Sequence, residues 1–137
     1  MLIDADLALL RRPLHAFVST VARLGQLPAP RPVWFELADD GQIGLFSFAS
    51  TPRVAQLRID PRLGIIVAAP TGEPEAWVAI DGEATLHADG AFELAERLAR
   101  RYWGDDLVGK ANTLDAWRRA ELIRIAVRPT AVRRSAG

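Results

Sequence analysis

The sequence predicts a mainly β domain, a small β-barrel of about six antiparallel strands with peripheral helices. Three observations favour this class. Short apolar segments suited to strands recur along the chain, and Asp39-Asp40-Gly41 is a strong hairpin signal. The longer helical segments come late in the chain and do not alternate with the strands, which argues against a parallel βαβ sheet.

The first predicted elements are a short helix and two strands. Asp4 or Asp6 can cap the helix. Residues 15–22 then alternate as a half-buried strand does. The second strand is predicted over residues 27–37, and its three prolines confine its early part to a sheet edge or a bulge.

The middle of the chain predicts a hairpin strand, a helix and a buried strand. The Asp-Asp-Gly turn leads into a strand over residues 42–48. A helix is predicted over residues 52–59, because proline has a suitable φ for the first helical turn and needs no N–H there. Residues 63–69 are apolar on both faces, as expected within a barrel or at a subunit contact.

The last third predicts three strands and two helices. Two short strands are expected over residues 76–80 and 83–87. A helix over residues 89–102 has an apolar face, and a shorter helix is expected over residues 113–119. Alternating apolar residues over 123–127 predict the closing strand.

Composition predicts one domain over residues 1–137, since half of the residues are hydrophobic and domains usually span about 100–200 residues. Seventeen basic and seventeen acidic residues cancel, so no charge pattern points to nucleic acid or to an anionic membrane. The apolar runs are far shorter than the ~20 residues of a membrane span. Asp4 and Asp6 stand where a signal peptide would be positive, so we expect a cytoplasmic protein.

Several catalytic and metal sites are not expected. The two histidines, His15 and His87, have no ligand partners at a metal-binding spacing, and the chain contains no cysteine. No serine lies in the Gly-x-Ser-x-Gly setting of a hydrolase, and no Gly-x-Gly-x-x-Gly motif marks a dinucleotide fold.

An anion site is predicted just ahead of the helix over residues 52–59. Ser47, Ser50 and Thr51 supply hydroxyl groups there. The free N–H groups and dipole of a helix start favour phosphate, and Arg53 adds a permanent charge. Each of these residues also has a structural explanation, as a helix cap, a loop residue or a surface charge.

These residues form part of a longer series of motifs. In order, it comprises Pro32-Val33-Trp34-Phe35, the Asp-Asp-Gly turn, Phe46-Ser47, the Ser/Thr loop with Arg53, Leu57-Arg58-Ile59-Asp60-Pro61-Arg62, Trp77–Ala84 and Ile123–Pro129. The order and spacing, over about residues 8–130, resemble the pyridoxamine 5'-phosphate oxidase-like FMN-binding split β-barrels.

The resemblance implies a homodimer that holds FMN, or alternatively the deazaflavin coenzyme F-420, in a groove between subunits and transfers hydride to or from a small organic substrate. In the family, the strand carrying Val33, Trp34 and Phe35 lies along the flavin ring, and a residue at the position of Trp77 lies close to it. The predicted cofactor-binding residues are Val33, Trp34, Phe35, Phe46, Ser47, Ser50, Thr51, Arg53 and Trp77. Trp34, Phe35 and Trp77 also suit a hydrophobic core.

The chain departs from the family at the anion site and at its end. Relatives commonly carry Lys at the position of Arg53 and a basic residue at that of Pro52, so Arg31 or Arg58 is expected to supply the second charge. No Arg- and Trp-bearing segment follows residue 129, so oxidation of pyridoxamine phosphate is not expected.

Two other functions stay open. The same fold can carry a flavin or haem, or sense a ligand, without turnover, since no residue stands out as a general acid or base. The chain can also be an interaction module in which the Ser/Thr-Pro-Arg segment only caps a helix. Trp103 and Trp117 lie among arginines, and a solvated helix end explains them more simply than a substrate pocket.

Overall fold

One antiparallel sheet forms the framework of residues 1–136, the part of the chain that the computed structural model describes; Gly137 lies outside the described residues. The strands are β1 (Ala16–Thr20), β2 (Arg31–Val33), β3 (Glu36–Leu37), β4 (Ile43–Phe48), β5 (Arg62–Ala68), β6 (Trp77–His87) and β7 (Leu122–Arg134). The helices are α1 (Asp4–Leu10), α2 (Pro52–Ile59), α3 (Ala91–Trp103) and α4 (Ala111–Arg119). The mainly β prediction is confirmed.

The order of the strands shows how the sheet closes. Across the sheet they run β2-β1-β5-β6-β7-β4-β3, so the two edge strands are neighbours in the sequence. Val33 of β2 pairs with β1, whereas Glu36 of β3 pairs with β4. Only Trp34 and Phe35 join the two edges. The sheet must therefore curl until its edges approach each other, which gives a half-barrel.

This crossover corrects the prediction of one strand over residues 27–37. The segment divides into β2 and β3 because its two ends pair with opposite sides of the sheet. The hydroxyl of Tyr102 holds the crossover: it accepts from the Phe35 N–H at 3.1 Å and donates to the Leu14 carbonyl at 2.6 Å. The Phe35 side chain is fully buried in the core.

A second difference concerns β6, which was predicted as two strands. It is one strand of eleven residues, with a shift of register against β7 between Asp81 and Gly82. A Cβ atom at position 82 would lie 2.5 Å from a methyl carbon of Val127. Glycine is therefore needed at this position, and the predicted break between two strands is a bulge within one strand.

The α2 helix has the predicted bounds, and its start follows from local chemistry. The Thr51 hydroxyl accepts from the Val54 N–H at 3.4 Å, and Pro52 occupies the first turn. Val54 and Leu57 bury their side chains in the barrel core. The anchored face fixes the helix start beside β1 and β4, which α2 contacts.

The N-terminal helix is attached to the end of β7. Asp6 accepts from the Ile3 N–H at 2.9 Å, and its carboxylate lies 2.8 Å from an Arg134 guanidinium nitrogen. Asp6 is only 4% exposed. The hydrogen bond from Arg134 is the main reason that the pKa of Asp6 lies below its ordinary value.

The α3 helix begins after Gly90, not at Asp89, and ends one residue beyond the predicted Tyr102. Its apolar face is buried, and α4 packs beside it. The α4 helix starts at Ala111, two residues earlier than predicted. Over residues 1–136, no helix combines the length and the apolar character that crossing a membrane requires.

Candidate functional site

A cavity of about 280 Å³ opens beside the start of α2. Its lining comprises Val18, Thr20, Ala29, Arg31, Thr51, Pro52, Arg53 and Gln56. The lining contains two arginines and no carboxylate. We call it the arginine cavity.

Arg53 is the half-buried charge of the arginine cavity. It donates a hydrogen bond to Ser47 Oγ at 2.5 Å, and Ser47 is only 4% exposed. Burial lowers the pKa of Arg53, and repulsion from Arg31 lowers that pKa further. Over residues 1–136, no carboxylate lies within 4.0 Å of either guanidinium. Both positive charges are thus left without an internal counterion.

Polar groups complete the wall around the two arginines. Thr51 caps α2 and faces the cavity, while the Thr20 hydroxyl donates to the Gln56 side chain. Arg58, the other residue considered as a second charge, is exposed and lies outside this lining. Arg31 is the second arginine that the fold brings to the predicted anion site.

A second cavity, of about 370 Å³, lies next to the first along β2. Its lining comprises His15, Pro32, Val33, Trp34, Phe46, Trp103 and Trp117. We call it the aromatic cavity. The sequence favoured a solvated helix end for Trp103 and Trp117, but the packing of α4 beside α3 brings both to this cavity. The sequence contains one hint of this cavity, because Trp103 and Trp117 each lie near arginines, where a large apolar ring is unexpected.

The rings of the aromatic cavity support one another. Trp34 stacks on Tyr102 with ring centroids 5.0 Å apart and planes inclined by 4°. Trp103 meets Trp34 edge to face at 4.9 Å, and Trp103 stacks with Trp117 at 5.8 Å and 19°. These are the arrangements that aromatic pairs prefer. Lys110 Nζ lies 4.6 Å from the centroid of the Trp103 ring.

The two cavities adjoin. Arg31 lines the first and Val33 the second, and two residues of a strand span about 7 Å. In β4, Phe46 lines the aromatic cavity, and the next residue, Ser47, bonds to Arg53. Because successive strand residues point to opposite faces of a sheet, Phe46 and Ser47 face away from each other, and the cationic and aromatic cavities are neighbours along β2 and β4.

Four of the predicted residues are absent from these two linings, and one of them, Ser47, still contacts the arginine cavity through its hydrogen bond with Arg53. The Phe35 side chain is in the core, and Ser50 is exposed outside both cavities. Trp77 is half-buried at the start of β6, where its backbone N–H donates to Ser135 Oγ at 3.1 Å. Over residues 1–136, His, Asp and Glu side chains form no group of three suited to a metal ion.

A curled antiparallel sheet whose edges are joined by a short crossover is the architecture of the split-barrel class. The family model described as pyridoxamine 5'-phosphate oxidase matches residues 2–132. The chain belongs to that family, and the resemblance seen in the sequence is confirmed. No curated protein sequence matches the chain significantly.

Solved structures agree on the fold. A conserved hypothetical protein from Mycobacterium tuberculosis superposes with a TM-score of 0.78 at 19% identity, over 98% of this chain and 84% of the other. An F420 reductase has a TM-score of 0.76 at 22% identity, over 96% and 98%. A FAD-binding protein from Mesorhizobium loti has a TM-score of 0.66 at 17% identity, over 100% and 96%. At these identities the likeness concerns the fold.

Proposed function

We propose that the protein binds a phosphate-bearing flavin, either FMN or the deazaflavin F-420, and transfers hydride to or from a small organic substrate. The observation that carries the proposal is the pair Arg31 and Arg53 at one cavity without a carboxylate in its lining. Family membership and neighbours named F420 reductase and FAD-binding protein support a flavin as the ligand.

The arginine cavity suits a phosphate for electrostatic reasons. In the free protein, Arg53 is desolvated and repelled by Arg31, and both effects lower its pKa. A phosphate between the two guanidiniums would remove that repulsion and form charge-assisted hydrogen bonds. The start of α2 and the Thr51 hydroxyl add donors on the same side. Arg31 thus takes the part of the basic residue that relatives carry where this chain has Pro52.

The rest of the cofactor would extend along β2. A phosphate at Arg31 leaves Val33 and Trp34 about 7 Å or more further along the chain, a reach comparable to a ribityl chain. Ser47 would orient Arg53 through their hydrogen bond. The flavin supplies the hydride chemistry when bound, and the chain supplies binding, orientation and exclusion of water. Solvent is the proposed source of protons.

We further propose a cytoplasmic homodimer whose subunits share the cofactor groove. In β5, the buried residues Leu63, Ile65 and Val67 alternate with exposed ones that include Ile66, so the strand is apolar on both faces. An exposed apolar face on a central strand suits a contact between subunits. Phe35, Ser50 and Trp77 remain cofactor contacts proposed from the family resemblance.

Titration of the purified protein with FMN and with F-420, followed by tryptophan fluorescence, tests the proposal. We expect tight binding of one of them. Arg53→Ala should weaken that binding by about 1.5–3 kcal/mol, the value of a charged hydrogen bond. Arg58→Ala is the matched control, since Arg58 lies on the same helix outside the cavity. Binding of neither flavin would reject the function, and an unchanged dissociation constant in Arg53→Ala would reject the phosphate site.

A carrier or sensor without turnover is the second candidate. It is favoured by the lining of the aromatic cavity, which contains no carboxylate and only one titratable side chain, His15. A reductase assay of the protein loaded with chemically reduced flavin, against a panel of organic acceptors, distinguishes the two, because a carrier would hold the reduced flavin without passing its hydride to an acceptor.

A further inference from the structure

We infer that the aromatic cavity binds a second ligand, a neutral molecule with a planar aromatic ring. The role of the aromatic cavity as the substrate site rests on the proposed function, because the ligand could react only with a bound flavin. The binding itself depends on the cavity alone. The inference is carried by the shape, the charge and the support of the lining.

The shape favours flat rings. Trp103 and Trp117 stack within 19° of parallel, and Trp34 stands edge-on to Trp103. All three side chains are only partly buried, so ring surface remains open to the cavity. A planar ligand gains both apolar burial and ring stacking at such walls, whereas a saturated ligand of equal size gains only the burial.

The charges favour a neutral ligand. The lining holds no carboxylate to pair with a cation, and no arginine or lysine to pair with an anion. Lys110, outside the lining, already places its ammonium group 4.6 Å from the centre of the Trp103 ring, so a cationic ligand would compete with it for that ring face. His15 is the polar group of the lining, and one imidazole suits a hydroxyl or carbonyl substituent.

The cavity is supported from behind. Trp34 stacks on Tyr102, whose hydroxyl is held by the Leu14 carbonyl and the Phe35 N–H. Trp117 packs against Phe46 with ring centroids 5.2 Å apart. Side chains held in this way lose little freedom when a ligand enters, so the site is preorganised. Val33 and Trp34, along which the flavin is proposed to extend, form one side of the lining, so a ring held against Trp103 and Trp117 would lie beside that flavin.

Equilibrium dialysis with 2-naphthol and its saturated counterpart, decahydro-2-naphthol, tests this inference. Both are neutral and carry one hydroxyl, but only the first has a planar aromatic system. We expect 2-naphthol to bind the wild-type protein about tenfold more tightly than the saturated alcohol. The measurement is made on the protein without added flavin and again with saturating FMN.

Variants of Trp117 locate the site. Trp117→Leu should weaken 2-naphthol binding about tenfold, and Trp117→Phe, which keeps a ring, should stay within about threefold of wild type. Phe92→Leu is the control, because Phe92 packs against the same small cluster as Trp117 but lies outside the cavity lining. A thermal melt of each variant verifies folding, and Trp103→Leu, at the ring that stacks with Trp117, provides a second test.

Three results would overturn the inference: equal affinity for the two alcohols, unchanged binding in both Trp117→Leu and Trp103→Leu, or loss of 2-naphthol binding when FMN is added. The last would mean that the cofactor ring occupies the cavity. If 2-naphthol binds as expected while neither FMN nor F-420 binds, the flavin proposal fails and the aromatic site stands.

Discussion

Two regions of the barrel hold guanidinium groups, and the positive charges are balanced differently in each. One region contains Arg134 with Asp6, and the other contains Arg53 with Arg31. Arg134 contacts a buried carboxylate at 2.8 Å, and its pKa is raised by that hydrogen bond. Arg53 has a hydroxyl for a partner and another arginine for a neighbour, and its pKa is lowered.

The difference separates a structural charge from one suited to a ligand. The pair of Asp6 and Arg134 joins the N-terminal helix to the last strand and is neutral as a unit. The pair of Arg31 and Arg53 carries two positive charges into a cavity and can be neutralised only from outside. Removing a charge should therefore reduce stability in the first region and ligand affinity in the second.

The largest effect is expected for Asp6→Asn. This change removes a buried counterion from Arg134 and should lower the free energy of unfolding by about 2–3 kcal/mol at pH 7. Urea unfolding followed by tryptophan fluorescence measures it. Asp4→Asn, at an exposed position in the same helical turn, is the control. Equal stability of the two variants would contradict a structural role for the ion pair of Asp6 and Arg134.

Acid should abolish that difference. The folded-state pKa of Asp6 lies below its ordinary value of 3.8, so its stabilisation is complete above that pH and is lost as the pH falls through the folded value. Wild type and Asp6→Asn should thus converge in stability at low pH. Urea midpoints at pH 7 and in steps below pH 4 test this, and a constant gap would contradict it.

Arg31→Ala should show the opposite pattern. Removal of this exposed charge should weaken flavin binding by about 1 kcal/mol, or roughly fivefold, while the free energy of unfolding stays within about 0.5 kcal/mol. Arg23→Ala, an exposed arginine outside the arginine cavity, is the control. A loss of stability without a loss of affinity would make Arg31 a structural residue.

Inorganic phosphate should give the smallest effect. At a concentration equal to its dissociation constant, it should raise the free energy of unfolding by about 0.4 kcal/mol. Thermal melts in phosphate, with chloride at matched ionic strength, measure the shift. Arg53→Ala should abolish it, whereas Asp6→Asn should keep it. A shift that survives in Arg53→Ala would place the anion elsewhere.

Elements governed by local chemistry were predictable from the sequence. The bounds of α2 follow from Thr51 and Pro52, and the β3-β4 hairpin follows from its Asp-Asp-Gly turn, where Gly41 has a φ of 86°. Ser47, Thr51 and Arg53 come together because only five residues, from the end of β4 to the start of α2, separate Ser47 from Arg53.

Features that depend on distant pairing were not predictable. Nothing local shows that Val33 and Glu36 pair on opposite sides of a sheet, so β2 and β3 read as one strand. The approach of Trp103 and Trp117 to Trp34 depends on how α4 packs beside α3. Arg31 was one of two residues considered for the second charge, and only the fold distinguishes it from Arg58.

The Tyr102 hydroxyl makes the crossover observable in solution. Because the Phe35 N–H donates to this side chain and not to a strand, its hydrogen exchange reports whether the two sheet edges have separated. The exchange rate of the Phe35 amide is measured in the wild-type protein and in Tyr102→Phe, which lacks the accepting hydroxyl. Slower exchange in the wild type would show how far this hydrogen bond holds the two sheet edges together. The exchange of a single amide proton thus reports the local opening of the crossover between β2 and β3.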